Sequence, residues 1–369
     1  MLKQTYIVYG ASANGMLAEQ ILKNRFGCEV LCFCDRDKSK HDLLLDGIVI
    51  KSIKELEGVV THSEKCCFII TNKKYEEVID ELQFIFDEAD IRVFDRKKLN
   101  QEEDVGFNDI FIEVDSSKPV LNYVECHISY HCNLKCKGCS HFSNIAEPEF
   151  PNFEQFQNDM QRLEELFRNI EKIRLLGGEP LLNPELPKYI ECCRKIFPLC
   201  DMRVVTNGLL IPTVSQSGGV LKAMKKYDAR FDITQYPPTE KIRGKVEIAC
   251  IEHGVEYNLS APVREFFDLT NDAGNSDINK SFSKCISKSC HFLENGKISL
   301  CPRPLLYQKF KTKANLQSRP IKSSIIDIYS DIHNGKELIE SFSKPIEYCR
   351  YCENENKNFF KWESGIANH

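Results

Sequence analysis

Residues 6–9 form an unbroken apolar run that stops at Gly10, and residues 16–24 then carry apolar positions at helical spacing. A strand, a glycine turn and a helix are therefore predicted in that order. A second strand is expected over residues 29–34, ending at Asp35, and strand, helix and strand follow over 66–71, 75–86 and 91–94. Strands alternating with helices predict a parallel sheet, in a first domain that ends near residue 105. Residues 101–119 are polar and acidic with broken apolar stretches, the composition of a connection. A second alternation then starts with a strand over 124–128. A helix over 153–169 places Phe156, Met160, Leu163 and Phe167 on one face. Strands over 172–176, 202–206, 230–235 and 255–259, separated by helices over 187–197, 220–226 and 240–253, complete a partial barrel of strand–helix units. Beyond residue 260 the helical pattern weakens. The segment from Lys284 to Cys352 is rich in cysteine instead, as in a small module stapled by metal.

A chain of 369 residues exceeds what one hydrophobic core supports, which agrees with this division. Hydrophobic residues at 42% and charged residues at 28% are those of an ordinary globular protein. The net charge of -5, with both signs interspersed, provides no basic face for a phosphate backbone, so nucleic acid is not expected as a partner. No apolar run has the length of a membrane span or a signal-peptide core, and a soluble, cytoplasmic protein without membrane attachment is expected. A cytoplasmic setting changes the meaning of the 18 cysteines: a disulfide framework is not expected there, and clustered cysteines point to metal.

Cys132, Cys136 and Cys139 lie within one loop that follows the strand 124–128. Three thiolates can wrap one small object. A tetrahedral zinc site needs a fourth ligand, for which Cys126, His127 and His131 are the neighbours, whereas three thiolates on an iron–sulfur cubane leave one iron free for another molecule. Gly177, Gly178, Glu179 and Pro180 stand at the end of the next barrel strand. Glycines there let the backbone approach a ligand closely, and Glu179 offers hydrogen-bond acceptors. With its CX3CX2C loop and its GGEP run, the chain resembles the radical S-adenosylmethionine (SAM) superfamily. The resemblance implies a 4Fe–4S cluster on Cys132, Cys136 and Cys139 whose free iron chelates SAM. It also implies SAM contacts from Gly177, Gly178, Glu179 and Pro180, where Glu179 would meet the ammonium group of SAM, from Thr206 and Asn207 at the next strand end, and from Thr234 at the one after. Gly138 departs from the pattern, since the superfamily usually has an aromatic residue there, close to the adenine.

In the tail, Cys285, Gly296 and Cys301 form a CX10GX4C run, Cys349 and Cys352 form a CX2C pair, and Cys290 is a further candidate. This spacing resembles the twitch module, a shorter relative of the SPASM module, and implies a second 4Fe–4S cluster held by four of these five cysteines. A structural zinc site is the competing reading of the same thiols. Cys28, Cys32, Cys34, Cys66, Cys67, Cys192, Cys193, Cys200 and Cys250 lack metal spacing and are expected to be buried small hydrophobes. At the N-terminus, Ser12 stands where a dinucleotide fingerprint has its second glycine. The region resembles instead the small Rossmann-like domains of polysaccharide-pathway enzymes, which makes Gly10, Ser12, Gly15 and Asp35 a candidate nucleotide site.

The expected fold is α/β: a Rossmann-like domain over 1–105, a partial (β/α)6 radical SAM barrel over 121–275 and a twitch-like module over 276–369. The resemblance implies an enzyme that cleaves SAM reductively and abstracts hydrogen from a small-molecule substrate, a nucleotide-linked sugar or related glycan-pathway compound. Dehydrogenation, epimerisation or elimination would follow, with a flavodoxin or ferredoxin as electron donor. A peptide-modifying radical SAM enzyme and a non-catalytic zinc protein are the alternatives, and iron and sulfide content separates the last from the others.

Overall fold

The computed structural model describes residues 4–57, 60, 66–86, 89–100, 105–313, 319, 322–355 and 357–365. The chain forms two compact units, Met1–Lys118 and Pro119–His369.

The first unit is one sheet flanked by helices. Its strands are β1 (Thr5–Tyr9), β2 (Val30–Cys34), β3 (Leu44–Leu45), β4 (Ile48–Lys51), β5 (Cys66–Ile70), β6 (Asp90–Phe94) and β7 (Phe111–Glu113). They lie in the order β3-β4-β2-β1-β5-β6-β7. The pairs β1–β2, β1–β5, β2–β4 and β5–β6 are parallel, so strand order reverses at β1 and the sheet is doubly wound. Residues 107–113, which read as part of a connection, instead close this sheet: β7 runs antiparallel to β6. Phe107 packs edge-on against Phe26 and Tyr6, and Phe111 against Phe26. Two aromatic residues four apart were too sparse a pattern to announce a strand, yet large enough to anchor one.

The strands of the second unit are β8 (Val120–Leu121), β9 (Val124–Ser129), β10 (Asn169–Ile170), β11 (Lys172–Gly177), β12 (Asp201–Thr206), β13 (Arg230–Ile233), β14 (Tyr257–Leu259), β15 (Glu265–Asp268), β16 (Phe292–Glu294), β17 (Lys297–Ser299), β18 (Ile326–Asp327) and β19 (Asn358–Lys361). The main sheet has the order β14-β13-β12-β11-β9-β16-β17-β18. From β14 to β9 every pairing is parallel, and β16 joins β9 in parallel from the other side. The cysteine-rich tail thus extends the barrel sheet itself, through β16 and its antiparallel neighbours β17 and β18.

Apolar residues of β9, β11, β12 and β13 meet Phe156, Met160 and Leu163 of helix Phe153–Leu166 and Leu186 and Ile190 of helix Leu186–Ile196 in one buried core. The helix expected over 220–226 is preceded by another, Ile211–Ser217, and Gly218 separates the two at φ 69°, in the left-handed region. Because the barrel strands run in parallel, their carboxyl ends and the loops after β9, β11, β12 and β13 gather at one end of the sheet. Among the described residues no helix is long and apolar enough to cross a membrane.

Candidate functional site

The loop after β9 is fixed by backbone chemistry before any sulfur is considered. Gly178 N–H donates to Ser129 O at 2.7 Å and Glu179 N–H to His131 O at 3.0 Å, so the end of β11 is sewn to the exit of β9. A Cβ on Gly177 would stand 2.1 Å from Ser129 O, and one on Gly178 would stand 1.9 Å from His131 O. The glycine pair is therefore required by the approach of two backbones, directly beneath the cysteine loop. Gly178→Ala is expected to displace that loop, lowering Tm by about 2 to 12 °C for an overpacking cost of about 1–3 kcal/mol. Differential scanning fluorimetry checks this.

Glu179 is fully buried. Its carboxylate accepts hydrogen bonds from Thr206 Oγ1 at 2.6 Å, Leu181 N at 3.1 Å and Asn207 N at 2.9 Å. Burial pushes its pKa up to about 7, against these three donors, which favour the charged form. The resemblance implies an acceptor for a ligand ammonium group; in the structure the carboxylate ties the end of β11 to the end of β12. Asn207, held in this way, sends its side-chain N–H to Asn133 Oδ1 at 2.7 Å and towards Cys132 Sγ at 3.7 Å.

Two loop sulfurs receive closer donors, Leu134 N–H to Cys132 Sγ at 3.4 Å and Trp362 Nε1–H to Cys136 Sγ at 3.2 Å. Burial pushes the Cys132 thiol up to about 12 and the Cys136 thiol to about 11, while these N–H donors act in the opposite direction. Such thiols stay protonated until a metal displaces the proton.

One cavity of about 430 Å³ joins this loop to the tail. Cys132, Cys136, Cys139, Gly177, Gly178, Thr206, Asn207 and Thr234 line it, and so do Cys285, Cys290, Cys301, Cys349 and Cys352. Glu179 and Pro180 are buried and do not line it. The tail thiols divide by environment. Burial raises the Cys301 thiol well up, with the negative charges of Cys352 and Cys285 adding to the effect. Cys349, pushed to about 11 by burial, also feels Cys352 and Cys285. Cys290, likewise at about 11 by burial, is most strongly influenced thereafter by Glu125, with Arg174 and Tyr123 opposing that and Cys285 adding a smaller contribution. Among the described residues no three His, Cys, Asp or Glu side chains close around a single metal ion.

Apart from a fourth place on zinc for His127 or His131, the sequence assigns no role to the histidines that flank the loop, His141 included. His127 Nε2 and His141 Nδ1 are 2.8 Å apart, and burial pushes His141 down to about 4. Sequence reasoning also missed Trp362, which a lone indole in a polar tail does not announce, and Arg303, whose Nη1 lies 3.9 Å from Cys352 Sγ on the cavity wall.

Of the N-terminal candidates, Gly10 and Gly15 meet each other. A Cβ on Gly15 would lie 2.0 Å from Gly10 O, and one on Gly10 would lie 2.2 Å from Asn72 Oδ1. Asp35 Oδ2 accepts from Ala11 N and Lys40 Nζ, both at 2.9 Å, so its carboxylate braces the turn. Ser12 is exposed at the start of helix Ala13–Phe26 without a side-chain cap bond. The nine cysteines set aside as hydrophobes are buried, apart from the half-buried Cys28.

Residues 127–248 match the family model of the Radical SAM superfamily. Among curated proteins, a GTP 3',8-cyclase of Clostridium acetobutylicum is 26% identical over 260 residues, covering 64% of this chain and 77% of that protein. A GTP 3',8-cyclase of Sulfurimonas denitrificans is 31% identical over 161 residues, covering 41% of this chain and 47% of that protein, so the chain spans about half the length of this relative. Among solved structures, BtrN in complex with AdoMet and 2-DOIA is 17% identical with a TM-score of 0.42, over 64% of this chain and 95% of that one. UDP-D-quinovosamine 4-dehydrogenase from Vibrio fischeri is 20% identical with a TM-score of 0.24, over 29% of this chain and 97% of that one.

Proposed function

From the premise that residues 127–248 are a radical SAM domain, whose cofactors are a 4Fe–4S cluster and SAM, we propose that Cys132, Cys136 and Cys139 hold that cluster and that this chain abstracts hydrogen from a phosphate-bearing small molecule of the nucleotide-linked sugar class. One observation carries the reading: the three loop cysteines, the Gly177–Gly178 strand end, Thr206, Asn207 and Thr234 line the same cavity. The donor set fits a cubane, with three thiols on one loop and N–H donors already aimed at two of the sulfurs.

When bound, the cluster and SAM supply a one-electron cleavage of the C5′–S bond, giving methionine and a 5′-deoxyadenosyl radical. The protein's part is orientation. Gly177 and Gly178 bring backbone to the cavity wall, and Glu179 fixes Thr206 and Asn207 at the adjoining strand end. Lys288 and Arg303 are cations on the wall, and Glu125 is raised by burial to about 7. That balance favours an anionic substrate, in keeping with a phosphate-bearing molecule. An electron donor of the flavodoxin or ferredoxin type would complete the reaction.

For the tail, Cys285, Cys301, Cys349 and Cys352 are the set proposed to hold a second 4Fe–4S cluster, because Cys352 and Cys285 both act on Cys301 and on Cys349, whereas Cys290 is acted on first by Glu125 and only last by Cys285. Cys290→Ala is then expected to retain about eight irons per chain, and Cys349→Ala with Cys352→Ala to retain about four, one cubane. Iron and sulfide assays on anaerobically reconstituted protein decide this.

The function is tested by reducing reconstituted protein with dithionite in the presence of SAM and deuterated nucleotide-linked sugars. Deuterium in the released 5′-deoxyadenosine supports the proposal. Cleavage of SAM without deuterium transfer from any such sugar would remove the substrate class, and zinc in place of iron with no cleavage would remove the whole reading.

A further inference from the structure

The cysteine loop is gripped from a second side. β19 pairs antiparallel with β15, with Phe360 opposite Phe266 and Lys361 opposite Glu265. The chain then runs along the loop. Lys137 N–H donates to Glu363 O at 3.0 Å, Gly365 N–H to Lys135 O at 2.9 Å and Ser364 Oγ–H to Leu134 O at 2.8 Å. A Cβ on Gly365 would stand 2.3 Å from Lys135 O, so a side chain is excluded here as it is at Gly177 and Gly178. Phe360 fills the space beside Gly138, where a Cβ would lie 2.5 Å from its ring, and Gly138 itself is left-handed at φ 69°. Three of the residues between the first and last loop cysteines therefore spend backbone groups on this strap, which lies more than two hundred residues away in sequence.

Trp362 is the strap's contact with sulfur. It is the single tryptophan of the chain and is 8% exposed. Its ring stacks on Tyr236 with centroids 5.3 Å apart and planes at 23°, which aims Nε1–H at Cys136 Sγ, 3.2 Å away. Tyr236 lines the cavity beyond β13. A hydrogen bond to a ligand sulfur stabilises the more negative, reduced form of a cluster, and such bonds are among the protein's means of setting its potential.

We infer that residues 358–365 form a strap that positions the cysteine loop, with Trp362 as the positioning residue whose indole N–H raises the reduction potential of the cluster on Cys136. This rests on the cluster assignment above and adds to it a role for the C-terminal strand. Trp362→Phe keeps an aromatic ring against Tyr236 and removes the donor together with the smaller ring that carries it.

The test uses the full reconstituted chain. In an electron paramagnetic resonance redox titration, the loop cluster is identified as the signal that changes when SAM is added. In Trp362→Phe that signal is expected to persist with unchanged iron content and a lower midpoint potential. In the unmutated chain, the single indole reports independently: its emission is expected to be strongly quenched when iron and sulfide are loaded, and to recover in a Cys132→Ala, Cys136→Ala, Cys139→Ala variant loaded in the same way. A SAM-sensitive cluster with an unshifted midpoint in Trp362→Phe, or with unquenched emission, overturns the strap and leaves the cluster assignment standing. Absence of any SAM-sensitive cluster overturns both.

Discussion

Replacing Cys132, Cys136 and Cys139 together by alanine is expected to abolish 5′-deoxyadenosine formation and to remove about four irons per chain, one cubane cluster. The folded chain should survive this change. Cys132 and Cys139 are only half-buried and Cys136 contributes one buried sulfur, so the cost is about 1 kcal/mol for each buried position. The loop keeps its backbone bonds to β11 and to residues 363–365, none of which involves a sulfur. The iron that remains should be held by the tail, whose cysteines come from separate segments of the chain. Liquid chromatography of quenched reactions, iron assay and circular dichroism on one preparation check the three parts. Retention of all iron with loss of activity would mean that the loop binds substrate and that the cluster lies elsewhere.

The loop and the glycine strand end were legible because each is a local code. Spacing within eight residues fixes what three thiols can embrace, and two glycines in succession mark a strand end that something approaches closely. The alternation of strand and helix was legible for the same reason, since residues 66–70, 124–129 and 172–177 announce themselves by their own composition. What remained hidden is long-range. Two of the three donors to Glu179 are 27 and 28 residues away at the end of the next strand, and the donor to Cys136 is 226 residues away. No periodicity within a window contains either. A carboxylate beside two glycines reads as a ligand acceptor from its local sequence; the fold adds Thr206 and Asn207 as donors to it, beside Leu181 of its own segment. The same limit applies to β16, a three-residue strand too short to be seen in sequence, which acquires its role only by pairing with β9. Conversely, Asp35 lies at the position a nucleotide-binding turn would predict and is engaged by Lys40 and Ala11, since a short loop returns a lysine to it.

Glu179→Gln is expected to cost about 1–3 kcal/mol of stability and to weaken SAM binding, although Glu179 does not line the cavity. An amide nitrogen in the position of Oε1 would face the Leu181 N–H, and in the position of Oε2 it would face the Asn207 N–H. Either orientation leaves one buried backbone donor without its acceptor. Thr206 can rotate its hydroxyl to accept, but Leu181 and Asn207 donate from the backbone and cannot adapt. The pH dependence separates this role from simple misfolding. The pKa of Glu179 is raised from the ordinary value of 4.5 to about 7 in the folded chain. Between those values the folded state holds a proton that the unfolded chain has released, so stability contributed by the protonated group is fully present below pH 4.5 and declines as pH rises towards 7. Metal-free protein should therefore lose stability across this window, and the loss should be smaller in Glu179→Gln, which has no proton to release. Denaturant unfolding of both proteins at pH 5 and pH 8 measures the difference. Equal pH dependence in the two would show that the carboxylate is already charged at pH 5, held so by its three donors. Weakened SAM binding in the variant at both pH values would still place its effect on Thr206 and Asn207, the two residues through which the buried carboxylate reaches the cavity.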